Sequence, residues 1–204
     1  MAILKIARMG HPILRGRADE VPDPTAREIR VLVEDMLETL RDARGAGLAA
    51  PQVHVPKRVM IFAALQEPMD DEDEVPDSEF SPLTVLVNPV WAPLDDGMAI
   101  NWEGCLSVPG LTGAVPRYTH IRYQGFTPAG EKIEREATGV HARVFQHEFD
   151  HLDGILYPMR MDDLSLLVFT EEAQNNGLPS LGGDEDEDED EDAEMEAVEA
   201  VDAE

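Results

Sequence analysis

Apolar residues recur at helical spacing in two stretches of the chain. After Thr25-Ala26-Arg27-Glu28, which has the form of a capping box, Ile29, Leu32, Val33, Met36, Leu37 and Leu40 fall three or four positions apart. The spacing predicts an amphipathic helix whose stripe packs into the core, closed by Gly45 in a left-handed conformation. A second helical pattern runs from about Gly139 to Leu152 with Val140, Val144, Phe145 and Phe149; Thr138 stands at its start and Gly154 at its stop. Between the two helices the period changes. Val59 to Ala63 and Thr84 to Val87 read as buried strands, and Met98 to Trp102 as a further one. Val115 to Tyr118, Ile121 to Phe126 and Glu131 to Glu136 read as short antiparallel strands, the last two joined by the turn Thr127-Pro128-Ala129-Gly130. Asp162 to Phe169 is expected to form a short helix, with Asn175-Asn176-Gly177 as a break after it.

Charge accounts for the stretches that have no period. The 204 residues carry a formal net charge of -27, but Asp184 to Asp192 is an unbroken acidic run. With Glu194, Glu196, Glu199, Asp202 and Glu204 it makes residues 173–204 an acidic tail, expected to be disordered because like charges repel and little apolar surface is left to bury. Leu65 to Pro82 is a second acidic segment, punctuated by proline and expected to be a mobile, solvated loop. It lacks the glycine and terminal glutamate of an EF-hand loop, so calcium is not its reading. Residues 1–172 remain as one domain with enough apolar sequence for a single core. No cluster of Lys and Arg offers a direct grip on nucleic acid. One cysteine, Cys105, excludes an internal disulfide and suits a reducing compartment, and no apolar run is long enough for a signal or a membrane span. These features predict a cytoplasmic protein.

Candidate chemistry centres on Gln146-His147-Glu148-Phe149-Asp150-His151, which carries H-E-x-x-H. On a helix, residues i and i+4 lie about 6 Å apart along the axis, so His147 and His151 can hold one metal ion while Glu148 stands beside it as a base. Such a site needs a third protein ligand. Asp153 follows too soon on the same helix to be attractive; Cys105, in Glu103-Gly104-Cys105-Leu106-Ser107, is either a small buried hydrophobe or a thiolate ligand for zinc or ferrous iron. Upstream, Gly45-Ala46-Gly47-Leu48-Ala49-Ala50-Pro51-Gln52 is either a glycine-rich turn or a place where backbone and a glutamine amide approach a ligand. His141 is off the ligand spacing, and His11, His54 and His120 default to structural roles.

These three stretches, in this order and at roughly this spacing, resemble the three motifs of the peptide deformylases. The resemblance covers the chain from its start to about Glu172. It implies an α+β fold, with antiparallel sheets packed around a central helix that carries H-E-x-x-H. It also implies a metal-dependent hydrolase that removes the formyl group from N-formylmethionine at the start of new polypeptides, releasing formate. Carried over by position, Cys105, His147 and His151 are the metal ligands, and Fe2+ is the expected ion, with Zn2+, Ni2+ or Co2+ as alternatives. Glu148 is the general acid/base, Gln52 and the Leu106 backbone N–H are the oxyanion donors, and Gly45, Gly47 and Gly104 line the path of the substrate backbone. An H-E-x-x-H peptidase would share the helix but need another third ligand, and a non-catalytic scaffold would not need Glu148.

The chain departs from the family pattern in three places. Ala46 replaces a larger branched residue between the glycines. Gly110-Leu111-Thr112-Gly113 lacks an arginine that some members direct at the substrate backbone, the next arginine being Arg117. Some bacterial members dock transiently on the ribosome through a basic C-terminal helix, whereas the acidic tail here would be repelled by ribosomal RNA.

Overall fold

The computed structural model describes residues 2–64 and 81–181. Most of the expected loop, residues 65–80, and the acidic run beyond 181 lie outside the described residues. The first helix, α1, spans Arg27–Ala43 and buries Ile29, Val33, Met36 and Leu40, the stripe its spacing marks. Its ends differ from expectation. Ala26 stands at the N-cap without a side-chain bond, because Asp23 captures Thr25 through both its N–H (2.8 Å) and its hydroxyl (2.7 Å). That local turn competes with the capping box and wins. At the other end the left-handed residue is Arg44 (φ 52°), one place before Gly45.

Eight strands form among the described residues; six follow the predicted order, several longer than their apolar runs, while the first and the last were not expected as strands. The eight are β1 (Gly47–Ala49), β2 (Val59–Ala64), β3 (Ser81–Pro93), β4 (Met98–Cys105), β5 (Val108–Tyr118), β6 (His120–Phe126), β7 (Lys132–Thr138) and β8 (Leu167–Phe169). All neighbours pair antiparallel, in a five-stranded sheet of order β1-β2-β3-β6-β7 and a three-stranded sheet of order β4-β5-β8. The extra length of β3 was hidden by a register shift between Val87 and Val90, where Asn88 takes φ 51° and its side chain bonds the backbone N–H and carbonyl of Val21. Ser81 and Pro82, assigned to the loop from sequence, open this strand.

The helix expected over Asp162 to Phe169 is not formed. Asp163 accepts from the Ser165 N–H to start a single 3-10 turn, Leu164–Leu166. Leu167 to Phe169 then add β8 to the edge of β5, where Leu167 and Val168 face Gly113 and Thr112. A short helix α3, Thr170–Asn176, runs past position 172 and ends at Gly177 (φ 83°).

Helix α2, Gly139–Leu152, packs against β2, β1 and the strands of both sheets. Its apolar side joins a core in which Tyr123 stacks on Phe145 (4.3 Å between centroids) and Phe62 meets both edge-on. On the other side of β2, α1 closes a second cluster through Met36, Leu40, Leu48 and Ile61. The C-terminal end of α2 is fixed by the buried Arg58, which donates to the Leu152 carbonyl and pairs with Asp153 at 2.7 Å. No helix among the described residues is long and apolar enough to cross a membrane.

Candidate metal centre

Strand β4 delivers Cys105 to the polar face of α2. A register shift between Gly104 and Cys105 turns the end of the strand, and the Sγ atom comes within 3.4 Å of His151 Nε2. The two imidazoles stand nearly perpendicular, 5.1 Å apart. One donor atom each from Cys105, His147 and His151 lies within 4.8 Å of the others, with both histidines buried. Asp153 is held by Arg58 and Arg17, so it is not the third member of this group.

One sulfur and two nitrogens converging on one point suit zinc or ferrous iron. Burial disfavours a charged His147, but the Cys105 thiolate and Glu103 outweigh it and raise its pKa well above the usual value. The same negative surroundings favour a cation. Burial, with His147 adding to it, lowers the pKa of His151 and keeps that ring neutral, as a ligand must be. The donor set and its charge therefore fit a divalent metal ion.

Glu148 sits beside this group, buried, with Oε2 lacking a hydrogen-bond partner among the described residues. Burial pushes its carboxyl up to about 7. A carboxyl poised near neutrality can both take and return a proton. Gly47 makes room for it. A Cβ at that position would lie 2.6 Å from Cγ and Cδ of Glu148, so glycine alone lets the carboxylate pack against β1.

Gln52, 1% exposed, lies on the turn Ala50–Val53. Its Oε1 accepts from the Ala49 N–H at 2.8 Å, which orients the amide so that Nε2 faces the sulfur at 3.7 Å and the Ser107 hydroxyl at 3.1 Å. Gly45, Gly47, Gly104, Leu106 and Gln52 line one cavity of about 600 Å³ with Cys105, His147 and Glu148. His141 is buried against the Tyr123 hydroxyl (3.0 Å), a core role. His120 pairs with Asp95, and His11 packs edge-on against His54.

Sequence reasoning missed the charged residues that hold this site. Glu103 accepts from His147 Nδ1 (2.8 Å), from two nitrogens of Arg117 (2.9 Å each) and from Arg143 (2.9 Å). Arg117 also pairs with Asp150, which Arg160 reaches from outside at 2.8 Å. Burial alone would raise the Glu103 carboxyl; bonds from Arg117 and His147 prevail and hold it at about 2. Arg117 is thus committed to the interior and does not replace the arginine missing from Gly110 to Gly113. One signal was available: on a strand, Glu103 shares a face with Cys105 two residues on.

Two antiparallel sheets folded about a helix whose histidines and carboxylate meet a cysteine form the site of a metal-dependent hydrolase. Comparison with known proteins makes this specific. Residues 3–166 match the family described as polypeptide deformylase. The chain is 52% identical over 166 residues to peptide deformylase 1 of Bordetella pertussis, spanning 81% of this chain and 92% of that protein. To peptide deformylase 1 of Nitrosomonas europaea it is 48% identical over 169 residues, 83% of this chain and 93% of that one. Among solved structures, the peptide deformylase from Ehrlichia chaffeensis superposes with a TM-score of 0.72 at 31% identity, over 80% of this chain and 90% of that chain. The Met-Ala-Ser-bound class I type b enzyme of Acinetobacter baumannii does so with a TM-score of 0.69 at 35% identity, over 78% and 99%. The chain belongs to the polypeptide deformylase family, metal-dependent hydrolases that remove the N-formyl group from newly made polypeptides.

Proposed function

We propose that Cys105, His147 and His151 hold a divalent ion, Fe2+ in the cell, with Zn2+, Ni2+ or Co2+ able to take its place. The substrate is an N-formylmethionyl peptide or nascent chain, met in the cytoplasm, where the thiolate stays reduced. The observation that carries the reading is the convergence of one thiolate and two imidazoles beside a buried carboxyl. A resemblance in overall shape to the Acinetobacter baumannii enzyme with bound Met-Ala-Ser, the peptide that deformylation would leave, supports the choice of substrate.

When bound, the cation supplies Lewis acidity, which polarises a carbonyl and acidifies a water. Glu148 takes the proton from the attacking water and returns it to the amine nitrogen as the C–N bond breaks, leaving formate and a free amine. Gln52 Nε2 and the Leu106 backbone N–H donate to the oxygen that gains charge; loss of one such donor commonly costs about 10²- to 10³-fold. Gly45, Gly47 and Gly104 leave the backbone bare where the peptide lies alongside it, and a wider rim at Ala46 admits the methionine side chain. The acidic tail argues against stable contact with ribosomal RNA.

The test is formate release from formyl-Met-Ala-Ser by protein purified without oxygen, alongside metal analysis. One equivalent of metal and rapid turnover are expected, with chelation abolishing turnover and Fe2+ restoring it. Cys105→Ser is expected to lose the metal, and Glu148→Gln to keep the metal but not the activity. Full turnover by Glu148→Gln would refute the assignment of the acid/base.

A further inference from the structure

Leu106 and Pro109, which line the catalytic cavity, also line a second groove of about 740 Å³ beside it. Lys5, Arg8, His11 and His54 line this groove, and no Asp or Glu does. In a chain of net charge -27, that is a local reversal of sign. Lys5 and Arg8 are exposed and make no ion pair among the described residues, as is true of other exposed arginines such as Arg15 and Arg27; what sets them apart is that they share one groove.

The two cations are not on a loose arm. The Ala7 N–H donates to the Gln52 carbonyl and the Met9 N–H to the Ser107 carbonyl, each at 2.7 Å. The segment that carries Lys5 and Arg8 is therefore tied to the same residues that border the metal site.

We propose that this groove is a subsite for acidic side chains of the substrate polypeptide, downstream of its formylmethionine. The inference rests on the deformylase reading, which puts the formyl end at the metal and obliges the rest of the chain to leave the cavity. An extended chain advances about 3.3 Å per residue, so a groove that shares Leu106 and Pro109 with the cavity lies within reach of the first several residues. Lys and Arg with no ion pair and no carboxylate lining the groove among the described residues favour Asp and Glu there. Repulsion by the acidic remainder of the protein is screened beyond about 8 Å at physiological ionic strength, whereas contacts inside the groove fall within that length and weaken only as salt rises further. Exposed ion pairs are individually weak, so the groove biases the choice of substrate without dictating it.

The experiment compares kcat/KM of the full-length, metal-loaded enzyme for formyl-Met-Ala-Ser extended by three acidic residues and for the same peptide with Asn and Gln in their place. At low salt the acidic peptide is expected to be preferred about fivefold, through KM and with kcat shared. The preference should fall towards parity at 0.5 M salt and invert in Lys5→Glu/Arg8→Glu. Because each ratio is measured on one preparation, partial loss of fold or metal in the variant cancels. Equal kcat/KM at low salt, or a preference that survives the double reversal, would overturn the proposal. So would a preference that emerges only after residues 184–204 are removed, since the occupant would then be the chain's own acidic run. Failure to turn over unextended formyl-Met-Ala-Ser would instead strike the deformylase reading and take this one with it.

Discussion

Replacing Gly47 with alanine tests the geometry of the site more sharply than removing a ligand does. The added Cβ would lie 2.6 Å from Cγ and Cδ of Glu148, against 3.4 Å for the start of ordinary contact, a shortfall of about 0.8 Å. Gly47 belongs to β1 and is paired with Phe62 of β2, so its backbone cannot retreat without breaking the sheet edge. Glu148 must give way instead, and its side chain lies in the interior at 4% exposure. On the proposed mechanism, a displacement of this carboxyl approaching 1 Å costs about 100-fold in rate, or about 2.7 kcal/mol on the barrier. The metal ligands are not touched. Gly47→Ala is therefore expected to lose about 100-fold in kcat for formyl-Met-Ala-Ser while metal content stays at one equivalent. Activity within threefold of the parent would show that Glu148 does not depend on this contact and would refute the reasoning; loss of metal as well would mean that the strain reaches the ligands.

Three further outcomes follow from the structure. Glu103→Ala leaves the buried Arg117 and the partly buried Arg143 without their shared carboxylate, which should cost about 3–5 kcal/mol and lower the thermal midpoint by about 10 °C in a metal-free comparison with the parent. Arg58→Met removes the donor to the Leu152 carbonyl and the partner of Asp153, and should lower stability by about 2 kcal/mol in urea unfolding with no change in metal stoichiometry. Ending the chain at Gly183 should leave turnover of formyl-Met-Ala-Ser within twofold, because the metal ligands, Glu148 and Gln52 all lie upstream of it; a large loss would tie the acidic run to catalysis.

Period and spacing made the helices legible. α1 shows its buried stripe at every third or fourth residue; α2 is bracketed by Thr138 and Gly154, but of the apolar residues that marked it only Phe145 is buried, and Val140 is exposed. Local sequence also marked the two histidines that close on Cys105, because i and i+4 on a helix is a local relation. What escaped was of two kinds. Some elements were settled by competition between neighbours: Thr25 turned to Asp23 instead of capping α1, and Leu167 to Phe169 found an open edge on β5 that no local signal announces. The others were long-range ion pairs. Arg117 and Asp150 are 33 residues apart, and Glu103 and Arg143 are 40 apart. Nothing in periodicity separates such residues from the charged surface until the fold brings them inside.

That buried array explains how two histidines at helical spacing are held in one definite geometry beside Cys105. A bare pair on a helix can rotate about χ1 and χ2, and either nitrogen of each ring can face the ion. Here Glu103 takes a bond from His147 Nδ1, which leaves Nε2 as the free donor and fixes the ring plane. Glu103 can do so only while it is ionised and still. Arg117 grips both of its oxygens and Arg143 a third direction, while Arg143 is in turn held by the backbone carbonyls of Ala99 and Val115 on β4 and β5. Asp150, three residues beyond His147 on α2, closes the array by pairing with Arg117 from the helix itself. The strand that supplies the thiolate and the helix that supplies the imidazoles are thus locked to each other through charge, and the position of the sulfur relative to the rings is set before any ion arrives.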